Sequence, residues 1–90
     1  MTTVPKAKIF PISTTVNDKD HLAIGGCDLV DLAAEFGTPL YVFDEATLKA
    51  QVDAFNQAFK SRHTDSKVLY ASKAFINVGL ARMLSANGVG

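Results

Sequence analysis

Lys73 is the residue of this sequence whose position best predicts covalent chemistry. It follows an uninterrupted apolar run at 68–71, which is typical of a strand buried on both faces of a parallel sheet. A helical pattern resumes soon afterwards, so we expect Lys73 at the carboxyl end of that strand, where β/α barrels carry their chemistry. In apolar surroundings a lysine amine can act as a nucleophile and form a Schiff base with a carbonyl compound. The alternative is a solvated charge that merely ends a strand, because most lysines are exposed.

The segment before this strand is predicted to be an amphipathic helix. Asp44 is a good N-cap, and Glu45 places a negative charge near the positive end of the helix. Apolar residues recur at spacings of four, three and four, which predicts a core-facing stripe of Leu48, Val52, Phe55 and Phe59. His63 lies in the polar loop at 61–66, before the strand and therefore at its opposite end from Lys73, so we assign it no catalytic role.

A second helix is predicted after Lys73. Asn77 can cap it, and its inward face would carry Leu80, Met83 and Leu84. Asn-Gly at 87–88 is a natural stop, and a further strand would begin at 89–90. Strand and helix therefore alternate, which predicts an α/β fold.

The segment at 1–20 has no steady period and is predicted to be a loosely held arm, with a short extended piece at 7–12. A strand at 21–24 follows and leads into a turn at 25–26.

A short helix is predicted next. Asp28 can cap it, Gly37 can end it, and Pro39 prevents its continuation. Its apolar stripe consists of Leu29, Leu32, Ala33 and Phe36. The apolar run at 40–43 then reads as a strand.

Composition excludes several classes of function. The 90 residues are 48% hydrophobic with a formal net charge of +0 and a pI near 6.7, so a nucleic-acid partner is not expected. No apolar run approaches the length of a membrane span, and no signal peptide is visible, so we expect a cytoplasmic protein without membrane contact. Cys27 is the single cysteine and cannot form an internal disulfide, and no spacing of Cys and His predicts a metal site.

Three stretches resemble one known family. Tyr-Ala-Ser-Lys-Ala-Phe at 70–75 resembles the lysine segment of the alanine-racemase-fold enzymes, the fold type III pyridoxal-phosphate-dependent group. Glu-Phe-Gly-Thr-Pro-Leu-Tyr-Val-Phe-Asp-Glu at 35–45 is similar to the diaminopimelate decarboxylase family in particular, and Ile-Gly-Gly-Cys-Asp-Leu at 24–29 resembles the leading segment of that family. The sequence departs from one common version of the motif at Phe75, where that version has asparagine.

The resemblance implies the N-terminal part of a pyridoxal-phosphate-binding (β/α)8 TIM barrel. Residues 1–43 would form an arm, a leading strand and a helix associated with a C-terminal β domain. The partners of the strand at 21–24 would then lie outside the chain, which would leave an exposed edge. Residues 44–90 would supply the first helix, first strand and following helix of the incomplete barrel. Because such a barrel takes about 250 residues, we expect an N-terminal fragment of a larger enzyme.

The resemblance also implies an activity. Lys73 would hold pyridoxal phosphate as a Schiff base, and Ala71, on the same strand face, would leave room for the flat ring. The full-length protein would be a homodimer that converts meso-diaminopimelate to L-lysine and CO2 in lysine biosynthesis. Its partner would be a small amino-acid substrate. The 90-residue chain alone is predicted to be inactive, because the phosphate cradle and the substrate-binding residues lie elsewhere.

Other functions remain open from the sequence. A related decarboxylase of arginine, ornithine or carboxylated polyamines, or an alanine racemase, would use the same lysine. A non-catalytic pyridoxal-phosphate-binding barrel is a third alternative, although such carriers have a single domain and the leading strand at 21–24 counts against it. In a small α/β interaction module, Lys73 would be only a surface charge.

Overall fold

A computed structural model describes residues 9–90, so residues 7 and 8 of the extended piece predicted at 7–12 lie outside this range, and residues 9–12 form no strand. Within it the elements are β1 (Thr15–Val16), β2 (Leu22–Ile24), β3 (Cys27–Asp28), α1 (Leu29–Phe36), α2 (Glu45–Lys60) and α3 (Val78–Ala86). The chain divides into two compact units, Met1–Leu48 and Lys49–Gly90, and each is described by itself. None of the helices described is long and apolar enough to cross a membrane.

The first unit is built on a small antiparallel sheet in which β2 pairs with β1 on one side and β3 on the other. Ala23, at the centre of β2, is buried. Gly25 and Gly26 connect β2 to β3 with φ angles of 60° and 79°. Positive φ at both positions of a two-residue loop is the geometry of a type I′ hairpin turn, which favours glycine. The predicted strand and the turn after it are confirmed.

The prediction that this strand lacks partners within the chain is wrong. One partner, β1, lies in the segment at 1–20 that the sequence predicts to be a loose arm. β1 has two residues, too few to produce an alternating pattern. The turn that returns the chain to β2 is made by Asn17, whose side-chain Oδ1 accepts hydrogen bonds of 3.0 Å from the N–H groups of Lys19 and His21. Local side-chain bonding of this kind is typical of asparagine turns.

α1 begins and ends where the sequence predicts. Oδ1 of Asp28 accepts hydrogen bonds from the N–H groups of Val30 at 2.8 Å and Asp31 at 3.2 Å, which satisfies two of the free donors of the first turn. The helix ends at Gly37, whose φ is 82° and whose N–H donates to the carbonyl of Ala33. The C-terminal glycine is therefore required by the backbone conformation.

The strand predicted at 40–43 is not formed, and Tyr41 is 89% exposed. An apolar run becomes a strand only where a ladder of backbone pairing develops along it. The strands of residues 9–90 pair in the sheet of β1, β2 and β3.

The apolar stripe predicted on α2 is only partly inward. Leu48 and Val52 are half-buried, whereas Phe55 and Phe59 are 54% and 53% exposed. The prediction of a core-facing stripe is therefore wrong for both phenylalanines. The spacing identifies one face of the helix correctly, but burial also requires a surface that covers that face.

The inward face of α3 consists of the predicted residues: Leu84 is buried, and Leu80 and Met83 are half-buried. The helix ends in a Schellman motif: the N–H of Val89 donates to the carbonyl of Leu84 at 3.0 Å, and the N–H of Gly88 donates to that of Ser85 at 3.2 Å. Leu84 and Val89 are each 8% exposed, so the apolar pair that accompanies this motif is buried.

The apolar run at 68–71 does not form a regular strand, but it starts a parallel pairing. Tyr70 donates its N–H to the carbonyl of Gly90 at 2.7 Å, and Gly90 donates its N–H to the carbonyl of Val68 at 3.0 Å. Gly90 thus bonds to two residues of the neighbouring segment, Val68 and Tyr70, which is the hydrogen-bond pattern of parallel strands. Between the paired segments the chain passes through α3, as a parallel crossover requires. The second unit thus contains a β-α-β arrangement whose two extended segments are joined by these two hydrogen bonds.

Candidate active site

Lys73 lies in the loop that joins the extended segment at 68–70 to α3. It follows the carboxyl end of that segment, as the sequence predicts, and its side chain is exposed. Apolar enclosure of the amine, which the sequence predicts, is not provided by the described residues. The amine is instead open to any small molecule that approaches this loop.

Two hydrogen bonds give the loop its shape. The N–H of Ala74 donates to the carbonyl of Ala71 at 3.3 Å, which closes a turn around Lys73. Outside this turn, the hydroxyl of Tyr70 donates to the carbonyl of Phe75 at 2.6 Å. The role of Tyr70 is not visible in the sequence, since an apolar run containing tyrosine gives no sign of where its hydroxyl bonds.

Ala71 and Lys73 lie in the same turn, but not on one face of a regular strand. Strand alternation therefore does not place their side chains on one side of the chain. Ala71 is exposed. Its small side chain leaves the space beside the turn open, and its contact with a cofactor stays a prediction.

Asn77 fixes the other end of the loop. Its side-chain Oδ1 accepts a 2.8 Å hydrogen bond from the N–H of Leu80, so it caps α3 as predicted. Lys73 therefore lies between one anchored residue at the end of an extended segment, Tyr70, and another at the start of a helix. Such placement on supported backbone is what a precise site requires.

A second polar cluster, in the first unit, surrounds Asp44, which is 8% exposed. Oδ2 of Asp44 accepts hydrogen bonds from the N–H of Thr47 at 3.1 Å and from the Thr47 hydroxyl. The Thr47 oxygen in turn accepts from the N–H of Ile12 at 2.9 Å. Ser13 also bonds Asp44, and its Oγ accepts from the N–H of Gly25 at 2.8 Å. The predicted cap is confirmed, and it also joins the β2–β3 turn to the segment before β1.

These bonds determine the ionisation of Asp44. Hydrogen bonding by Thr47 lowers the pKa of its carboxyl below the ordinary value, partial burial acts in the opposite direction, and bonds from Ser13 add to the lowering. Asp44 is therefore an ionised structural carboxylate at neutral pH. The sequence shows only the cap, because Ser13 and Gly25 are remote from Asp44 along the chain.

The third cluster is formed by Asp28, His21 and Asn17. Oδ2 of Asp28 lies 2.8 Å from Nδ1 of His21 and accepts a 2.8 Å hydrogen bond from the Asn17 amide. Burial raises the pKa of Asp28, but the bonds from Asn17, His21 and the helix amides outweigh it and hold the pKa well below its usual range. This cluster is not visible in the sequence, since it depends on the pairing of β2 with both neighbours.

No group of three His, Cys, Asp or Glu side chains in residues 9–90 is arranged to hold a metal ion. Cys27 is exposed and has a free thiol. Among the described residues, the loop around Lys73 is therefore the place where predicted chemistry and a supported backbone coincide.

The sequence aligns with curated diaminopimelate decarboxylases over most of its length. It is 45% identical over 82 residues to the enzyme of Methanothermobacter thermautotrophicus, a match that covers 91% of this chain and 19% of that protein. The chain is a relative of the diaminopimelate decarboxylases. The enzyme of Bacillus subtilis is 42% identical over 73 residues, covering 81% of this chain and 17% of that protein. The enzyme of Synechocystis is 33% identical over 87 residues, covering 96% and 19%.

The chain thus spans less than a fifth of the length of these diaminopimelate decarboxylases, at 19%, 17% and 19%. No family model matches the sequence, and no solved structure does. The family resemblance inferred from the three motifs is confirmed by these relatives. It implies pyridoxal phosphate, and Lys73 fits that cofactor in one respect that the structure tests: its primary amine is exposed in a turn of fixed shape.

Proposed function

We propose that the full-length protein is a pyridoxal-phosphate-dependent carboxy-lyase that converts meso-diaminopimelate to L-lysine and CO2. The observation that carries the proposal is the 45% identity over 82 residues to a curated diaminopimelate decarboxylase. The position of Lys73 adds support, because it follows an extended segment that begins a parallel pairing. Among the alternatives, a decarboxylase of arginine, ornithine or carboxylated polyamines is distinguished from this function by its substrate.

Residues 44–90 are proposed to begin the (β/α)8 barrel, and residues 1–43 to associate with a β domain. Support for the first part comes from the two bonds that Gly90 makes with the segment at 68–70 across α3. A parallel crossover through a helix is the repeating unit of such a barrel. The homodimer and the cytoplasmic location belong to the same proposal.

Lys73 is proposed to hold the cofactor covalently through Nζ. Pyridoxal phosphate, when bound, supplies the ring that takes up the electrons released as a carboxylate leaves an amino acid. The amine of Lys73, when it is exchanged for that of the substrate, becomes a group that can hold a proton and deliver it to the carbon that lost the carboxylate. Ala71 leaves the neighbouring surface small enough for a flat ring to approach.

The test uses the full-length protein. After incubation with pyridoxal phosphate and reduction with borohydride, mass spectrometry of peptides locates the modified lysine. We expect the label on Lys73, and a label on Lys60 or Lys67 instead would contradict the assignment.

Activity separates the substrate classes. Wild type is expected to form L-lysine from meso-diaminopimelate, but no product from arginine or ornithine. Lys73→Arg should abolish the reaction, whereas Lys60→Arg, at the exposed end of α2, is the matched control and should leave the rate unchanged. Turnover of arginine or ornithine in place of meso-diaminopimelate would assign the protein to a neighbouring decarboxylase.

A further inference from the structure

We infer that Tyr70 is a positioning residue that fixes the loop carrying Lys73, an inference that rests on the proposed function of that lysine. The inference comes from the hydroxyl of Tyr70, which donates a 2.6 Å hydrogen bond to the backbone carbonyl of Phe75. This bond joins the residue before the loop to a residue near the start of α3. The bond spans the loop that contains Lys73, but the Tyr70 hydroxyl is not itself one of the reacting groups.

Tyr70 is suited to this role because both its backbone and its side chain are bonded. Its N–H donates to the carbonyl of Gly90 at 2.7 Å, so the residue is held by the neighbouring extended segment. Its ring is half-buried, which limits the directions that the hydroxyl can take. The phenol therefore transfers the rigidity of the paired segment to the far side of the loop.

The residues between the two ends have less support of their own. Ala71, Ser72, Lys73 and Ala74 are all exposed. Their turn is closed by a 3.3 Å hydrogen bond, beyond the usual range for N–H donors, whereas the 2.6 Å phenol bond is short and falls within the range for hydroxyl donors. The phenol bond is accordingly the stronger of the two ties across Lys73.

Loss of that tie should change how often the amine is correctly placed. With the loop ends free to separate, Lys73 would sample more backbone conformations, and fewer of them would present Nζ to an incoming carbonyl carbon. Holding a reacting group in position is a major source of rate in enzymes. Tyr70→Phe removes the hydroxyl and keeps the ring, so it isolates this effect.

The experiment compares Tyr70→Phe with Tyr41→Phe in the full-length protein. Tyr41 is the other tyrosine of the chain and is exposed outside the loop, so it is the matched control. The rate of pyridoxal-phosphate attachment to Lys73 is followed by timed borohydride reduction and peptide mass spectrometry. Tyr70→Phe should slow it by about three- to tenfold, the factor that one hydrogen bond of ordinary strength represents. Tyr41→Phe should leave it unchanged.

Hydrogen exchange tests whether the effect is local. In Tyr70→Phe, the amide of Ala74, which closes the turn, should exchange about threefold faster, as expected for loss of a bond of that strength, while those of α3 should not change. Faster exchange throughout α2 and α3 would mean general destabilisation and would overturn the positioning role.

The two hypotheses fail in different ways. If wild type carries the label on Lys73 and Tyr70→Phe matches Tyr41→Phe in rate, the inference about Tyr70 is overturned and the proposed function stands. If wild type is labelled on another lysine, the proposed function and the inference both fall.

Discussion

The N–H of Thr47 donates a 3.1 Å hydrogen bond to Oδ2 of Asp44, and the Thr47 hydroxyl donates to the same oxygen. Because these bonds lower the pKa of Asp44 in the folded protein, its carboxylate stabilises the fold fully above the unfolded value of about 3.9. This contribution disappears as the pH falls through the lower, folded pKa.

We therefore expect Asp44→Asn to reduce the acid sensitivity of the protein while lowering its stability at neutral pH. Denaturant unfolding of the full-length protein between about pH 3 and pH 7, a window that spans the unfolded pKa, measures both effects. Glu45→Gln is the control, since Glu45 is the exposed neighbour in the first turn of α2. An unchanged pH profile in Asp44→Asn would contradict the role given to this carboxylate.

Removal of Nδ1 of His21 is expected to raise the pKa of Asp28. The two side chains lie 2.8 Å apart, and the bond from His21 is one of those that hold this pKa below its usual range. His21→Phe removes the bond and retains an aromatic ring. The carboxyl carbon shift of Asp28, followed by NMR during acid titration, should show a midpoint at higher pH than in wild type.

The matched control for this titration is His63→Phe, because His63 is the other histidine of the chain and is exposed in the loop before the lysine segment. It should leave the Asp28 midpoint unchanged. Equal shifts in both variants would show that the net charge of the protein, rather than the contact with His21, controls Asp28.

Asn77→Ala should destabilise the protein by about 1 kcal/mol, the usual cost of removing a helix N-cap. The side chain accepts from the N–H of Leu80 at 2.8 Å, and alanine cannot replace that bond. Asn77→Ser restores an acceptor at the same place and should recover most of the loss. Denaturant midpoints of the three full-length proteins provide the measurement, and a serine variant as unstable as the alanine variant would contradict a capping role.

Features that depend on local chemistry could be predicted from the sequence. Asp28, Asp44 and Asn77 each cap a helix where a side-chain acceptor precedes a run of apolar periodicity. Glycine at 25–26 indicates a turn for a comparable reason, because its positive φ is a local property of the chain, whereas the pairing of β2 with β3 across that turn is not.

Features that depend on partners could not be predicted. The apolar runs at 40–43 and 68–71 both read as strands, yet whether such a run forms a strand depends on what pairs with it. Phe55 has helical spacing but is exposed, since burial is decided by the surface opposite the helix. The same limit applies to the candidate site. The motif indicates Lys73, while the bond between Tyr70 and Phe75 emerges only from the folded loop.

Gly25→Ala should destabilise the protein by about 1 kcal/mol, because alanine is strained at the left-handed φ of 60° that the hairpin turn requires. Space is not the obstacle, since an added Cβ would lie 3.4 Å from Oδ1 of Asp44, an ordinary contact. Gly25→Asn should therefore cost less, as asparagine tolerates this conformation. Gly79→Ala, within α3, should instead stabilise the protein by about 0.5–1 kcal/mol. Denaturant midpoints of the full-length variants test all three, and an asparagine variant no more stable than Gly25→Ala would show that the turn is limited by space rather than by φ.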